Sequence, residues 1–161
     1  MKIFFLVVVM SGWTISGAAD GYSLQPLNRT ATLQQANFTN KPWRLKTFSV
    51  SPAIDWDLDG KVETDILSKL EDCERDDLLI FRKDGIVFKD TGKKLCEDED
   101  AGKREDGTWT YDAAGKRLIL KQYDKSQVCK IVESSANRLV LTYQWKTPKG
   151  KLHEITAVYI L

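Results

Sequence analysis

From Trp43 to the end of the chain, short runs of alternating apolar and polar residues follow one another, separated by tight polar turns. A period of two places successive side chains on opposite faces of a strand, so the chain must build sheet rather than helix. The clearest unit is LLIFRKDGIVF, in which two apolar runs flank Lys83-Asp84-Gly85. Asp-Gly supplies the positive φ that a tight hairpin needs. GTWTYDAAGKRLILKQY turns at Ala113-Ala114-Gly115, QVCKIVESSANRLVLTYQW turns at Ser134 to Asn137, and Thr147-Pro148-Lys149-Gly150 precedes the last run. The predicted strands span 43–50, 78–83, 86–90, 107–112, 117–123, 127–133, 138–146 and 151–160.

Short connections make these strands antiparallel neighbours in a meander. On strand 138–146, Leu139, Leu141, Tyr143 and Trp145 share one face; Arg138, Thr142, Gln144 and Lys146 share the other. A sheet of this size exposes two edges unless it closes on itself. The expected fold is therefore all-β: an eight-stranded antiparallel up-and-down barrel, with an open sandwich as the alternative. Such a barrel either fills its interior with side chains or holds one small ligand. One short helix is expected between the first two strands. In ETDILSKLED, Ile66, Leu67 and Leu70 fall on one helical face, and Glu63 and Asp65 lie in the first turn, where negative charge suits a helix N-terminus.

The N-terminus has a different character. Lys2, an apolar run from Ile3 to Met10 and small residues up to Ala18 and Ala19 have the layout of a secretory signal peptide, expected to span residues 1–19. The apolar run is too short to cross a bilayer. Residues 20–40 are polar and without period and read as a flexible linker or arm, leaving 41–161 as the barrel domain. The arm contains two glycosylation patterns, at Asn28 and Asn37. Loss of the leader removes Lys2 and no acid, which takes the formal charge from +1 to zero. A neutral chain with interspersed charges has no field for nucleic acid. The expected destination is outside the cytoplasm (periplasm, cell surface or medium), with no stable membrane insertion after cleavage.

An oxidising destination bears on Cys73, Cys96 and Cys129. Cys129 lies in the apolar run QVCKIV and is expected to be buried and inert. Cys73 and Cys96 lie in polar loop sequence and are the expected bridge; the alternative is two separate exposed thiols.

DWDLDGKVETD, residues 55–65, is the most suggestive polar stretch. In a helix–loop–helix calcium loop, oxygens come from positions 1, 3, 5, 7 and 12, with glycine at 6. Asp55, Asp57 and Asp59 take the first three, Gly60 the glycine position and Lys61, through its carbonyl, the seventh. Position 12 is Ile66, and Asp65 stands one residue before it. The reading is one structural calcium ion held by Asp55, Asp57, Asp59, Lys61 and Asp65, against a solvated polar turn as the alternative.

Several of these pieces together resemble a known family. Trp43 opens the first strand and Asp55 to Gly60 follow. Asp72-Cys73 stands with Asp76-Asp77, then Phe81 with Asp84-Gly85, Cys96 in an acidic loop, and Gly107-Thr108-Trp109. The combination is similar to the lipocalin-like domain of exported bacterial proteins, over about residues 41–161. The resemblance implies a lipocalin-type barrel and a Cys73–Cys96 disulfide, and it implies no defined ligand.

Catalytic signals are thin. His153 is the only histidine; its neighbour Glu154 faces the other way on a strand, and His153 reads as a surface strand residue. No nucleophile-elbow, zinc-protease or cysteine–histidine zinc spacing occurs. Trp109, Tyr111, Tyr143 and Trp145 alternate on strands and are the candidate lining for a small apolar ligand. The sequence therefore points to an exported, non-enzymatic binding or accessory module whose partner is a small apolar molecule or another exported protein. The alternative is a calcium-stiffened structural or interaction domain with a filled barrel.

Overall fold

The structure, a computed structural model, describes residues 36–97, 100–148 and 150–161. The expected signal peptide, Asn28 and the first part of the expected linker lie outside the described residues. Among the described residues nine strands follow one another: β1 (Trp43–Ile54), β2 (Glu63–Asp65), β3 (Leu78–Phe81), β4 (Ile86–Asp90), β5 (Lys103–Asp112), β6 (Arg117–Gln122), β7 (Lys125–Ser134), β8 (Arg138–Lys146) and β9 (Leu152–Ile160). Each strand from β3 to β8 pairs antiparallel with the next. β1 pairs with β9 from Arg44↔Ile160 to Ser51↔Glu154 and with β3 at Trp43↔Leu79. Eight strands thus close into a barrel, and three-residue β2 lies along β1 beyond β3.

Turn chemistry sets the hairpins. At Gly85 φ is +88, and Asp84 Oδ1 accepts the Ile86 amide at 3.2 Å. Gly107 sits at the register slip between β4 and β5, and a Cβ there would lie 2.2 Å from the Lys121 carbonyl oxygen on β6, so only glycine lets β5 and β6 approach.

Alternation gives the barrel its inside. Leu139, Leu141, Tyr143 and Trp145 stand directly opposite Tyr159, Ala157, Ile155 and His153, and this face points inward. Phe48 and Val50 continue it on β1, opposite Ala157 and Ile155. One barrel end is packed with large side chains: Phe38, Trp43, Phe81, Trp109 and Leu139 are essentially inaccessible. Each contributes about 1.5–3 kcal/mol by leaving water.

Three expectations need correction. The segment before residue 41 is no loose linker over its described part. Phe38 is 1% exposed, its carbonyl accepts the Trp43 indole N–H at 2.7 Å, and the Lys41 ammonium donates to the Ala136 carbonyl at 2.8 Å. Secondly, a short helix does lie between the first two barrel strands, but not over the expected residues 63–72: it starts only at Asp72. Glu63–Asp65 pair with β1, the Ile66 amide donates to the Phe48 carbonyl at 2.8 Å, and Leu67–Lys69 make a single 3-10 turn. Ile66 and Leu70 are buried as their spacing required, but through strand pairing, which outweighs the weak helical preference of a short segment. That helix, α1, spans Asp72–Arg75. Thirdly, His153 is 2% exposed, not a surface residue, because its register opposite Trp145 turns it inward.

Cys73 and Cys96 form a disulfide that ties α1 to the loop after β4. Cys129 is a buried free thiol inside the barrel.

Candidate functional site

The two barrel ends carry different chemistry. At the end packed by Phe38 and Trp43 there is a half-open cavity of about 310 Å³. Ala36, Phe38, Tyr111 and Ile131 supply its apolar wall. Asn37, Lys116 and Ser134 supply its polar side, and Val132 completes the lining. The strand pattern explains the wall: Tyr111 and Ile131 are inward positions of β5 and β7, while the docked N-terminal segment brings Phe38 across the barrel end. The Phe38 ring lies 5.7 Å from that of Tyr111 and 5.3 Å from that of Trp109, edge-on or tilted, as aromatic quadrupoles prefer. Asn37 and Ser134 are paired reciprocally: the Asn37 amide donates to the Ser134 carbonyl at 3.0 Å, and the Ser134 hydroxyl donates to Asn37 Oδ1.

The opposite end carries the acidic loop. Carboxylate oxygens of Asp55, Asp57 and Glu63 lie within 4.8 Å of one another. Lys69, from the 3-10 turn, brings its ammonium to 3.0 Å from Asp57, 3.1 Å from Glu63 and 3.9 Å from Asp59. Hydrogen bonds to Asp57 and then Glu63 raise the Lys69 pKa above its ordinary value, and the same bond lowers that of Asp57. Asp55 Oδ2 accepts the Gly60 amide at 3.1 Å, while its Oδ1 is buried without a hydrogen bond among the described residues. Lys61 spends its amide on Asp59 Oδ1 at 2.8 Å. Asp65 turns to the 3-10 turn, where its Oδ1 accepts the Ser68 amide at 3.4 Å. Of the five residues read as a calcium loop, the structure brings Asp55 and Asp57 together. It adds Glu63, which the sequence reading placed in a helix, and it sets a lysine among them. Trp56 of this loop packs on Phe48 and Trp145 at 6.0 and 5.9 Å, which closes the barrel above His153.

The family model of the lipocalin-like domain matches residues 39–141. The chain belongs to the lipocalin-like domain family. Among solved structures it is similar to a deswapped triple mutant of bovine odorant-binding protein, at 16% identity and a TM-score of 0.44, covering 78% of this chain and 74% of that one. It is also similar to bovine odorant-binding protein in complex with a selenium-containing odorant, at 16% identity and a TM-score of 0.42, covering 89% and 76%. No curated protein matches the chain in sequence.

In this lipocalin-like barrel the four aromatic residues expected to line a ligand site have separate fates. Tyr111 lines the cavity. Trp109 is core, its indole N–H donating to the Arg82 carbonyl at 2.8 Å. Tyr143 is inside the barrel beside Tyr159 and Cys129, and burial pushes its phenol well above the ordinary range. Trp145 lies between Trp56 and His153, its ring tilted 50° to each. The His153 ring shares a hydrogen bond of 2.7 Å between Nδ1 and the Pro52 carbonyl, and its Nε2 is buried without a partner among the described residues. The sequence reading missed Phe38, Ile131 and Lys116. Alternation flags Ile131, which shares a strand face with Cys129; nothing local marks Phe38 or Lys116, which reach the cavity only through docking of distant segments.

Proposed function

We propose that the chain is an exported, non-enzymatic binding module of the lipocalin-like family, and that it holds a small, largely apolar molecule in the cavity bounded by Phe38, Tyr111 and Ile131. The carrying observation is the cavity itself: about 310 Å³, lined by aromatic and aliphatic residues together with the polar Asn37, Lys116 and Ser134. That is the small end of the range for ligand pockets. The disulfide supports an oxidising destination. Among the described residues no helix is long and apolar enough to cross a membrane. The test is native mass spectrometry of protein purified from its own host, beside a Val132→Trp variant. Val132 lines the cavity yet is 58% exposed, so the larger ring can block the space without disturbing the core. A small-molecule adduct on the wild type that the variant lacks supports the reading; bare masses for both refute it.

A second reading rests on the acidic loop. Asp55, Asp57 and Glu63 converge, and one oxygen of Asp55 is buried without a hydrogen bond among the described residues. A calcium ion there would displace the Lys69 ammonium and hold the β1–β2 connection in its place. Affinity would be weak, in the roughly 0.1–1 mM range of extracellular modules. Calcium at several times that concentration then raises the melting temperature, magnesium does not, and Lys69→Met enlarges the calcium effect. An unmoved melting curve for both proteins leaves Lys69 as the only cation the loop uses.

A further inference from the structure

We infer that the ligand of the Phe38–Tyr111–Ile131 cavity is a small aromatic carboxylate, anchored through its anionic end by Lys116. This rests on the reading of that cavity as a ligand site and names the chemical class it takes. Three observations carry it.

The first is charge. Lys116 is the one charged residue in the lining, and no acid shares it. The acid closest in sequence, Asp112, is already committed. The Arg117 guanidinium bonds it at 2.7 and 3.1 Å, the Gly115 amide donates to it at 3.1 Å, and these contacts lower its pKa. Among the described residues the Lys116 ammonium has neither ion pair nor hydrogen bond.

The second is that the other polar groups are spent. Asn37 and Ser134 satisfy each other. Lys116 and the Tyr111 hydroxyl, which has no hydrogen bond among the described residues, remain to meet a ligand. Both can donate to an oxyanion. One ammonium and one hydroxyl suit a monoanionic carboxylate; a phosphate dianion calls for more positive charge.

The third is backbone placement. Lys116 has φ +49, a left-handed conformation that a lysine adopts at a cost and that glycine or asparagine would take more easily. Its carbonyl accepts the Ile131 amide at 2.8 Å, which fixes the residue against β7 at the cavity rim. The apolar wall defines the rest of the ligand. Half-buried Tyr111 offers ring surface to an aromatic body, with Phe38 packed behind it, and the volume of about 310 Å³ is small for a long lipid chain.

Calorimetry at neutral pH with hydrocinnamate, hydrocinnamamide and phenylpropylamine tests this, because the three share one tail and differ in charge. For the wild type the acid binds about two- to fivefold more tightly than the amide, the range for an exposed ion pair, and the amine binds most weakly. Added salt narrows the gap. Lys116→Met removes the preference for the acid and leaves the amide's affinity unchanged, while Lys116→Arg keeps the preference. Equal binding of acid and amide to the wild type, or a preference that survives Lys116→Met, overturns the anion assignment and leaves the cavity reading standing. Failure of all three probes to bind overturns both.

Discussion

Replacing Phe38 by alanine measures whether the segment before β1 belongs to the fold. Phe38 is 1% exposed, and its ring centre lies 5.5, 5.3 and 5.7 Å from those of Phe81, Trp109 and Tyr111. Truncating such a phenylalanine loses its transfer free energy and leaves a void, together about 3–5 kcal/mol. The carbonyl that holds the Trp43 indole belongs to the same residue, so a segment that swings away also strips a buried N–H of its partner. Against a total stability of about 5–15 kcal/mol this is a large fraction. With a urea slope of about 2 kcal/mol per molar, the midpoint falls by about 2 M. The assay is equilibrium urea unfolding with the disulfide kept oxidised, followed by tryptophan fluorescence and far-ultraviolet circular dichroism, whose agreement checks two-state behaviour. Val62→Ala is the control: Val62 is 68% exposed, and the change should stay within about 0.5 kcal/mol. A midpoint for Phe38→Ala within about 0.3 M of the wild type would refute the docking and return residues 36–40 to the status of a linker.

The disulfide closes a loop with a sequence separation of 23, so Cys73→Ser with Cys96→Ser should cost about 3 kcal/mol in the same urea assay. Burial pushes the Cys129 thiol up to about 12, so it should resist a thiolate-directed reagent at neutral pH in the folded protein and react at once in denaturant. The Asp57–Lys69 contact should be pH-gated on both sides. Asp57 has a lowered pKa, so its contribution is present above the unfolded value of 3.8 and is lost as pH falls through the lower folded value. Lys69 has a raised pKa, so its contribution is present below 10.5 and is lost only at more alkaline pH. The stability advantage of the wild type over Asp57→Asn should therefore hold across neutral pH and vanish in strong acid; an advantage that persists there would assign it to packing.

What the sequence determined by itself was everything that repeats over two residues or closes within four. Alternation alone put Leu139, Leu141, Tyr143 and Trp145 on the inner face, where they stand opposite β9. Asp84-Gly85 forced its hairpin, because few other pairs adopt that backbone cheaply. Cys129 in an apolar strand was bound to be buried, and it is. Such features are local, and a residue's nearest neighbours are enough to decide them. Tertiary structure decided the rest. Ring closure joins β1 to β9, residues more than a hundred positions apart, and no turn signal announces that pairing. The helix expected over 63–72 starts only at Asp72 because β1 offered the preceding segment a hydrogen-bonded edge. His153 looked exposed until its register opposite Trp145 turned it inward. Lys69 entered the acidic loop from twelve residues beyond Asp57, and the cavity took Phe38, Lys116 and Ile131 from three separate segments. A binding site made this way depends on which distant strands meet, and that is settled by the burial of the whole core at once rather than by any stretch of the chain.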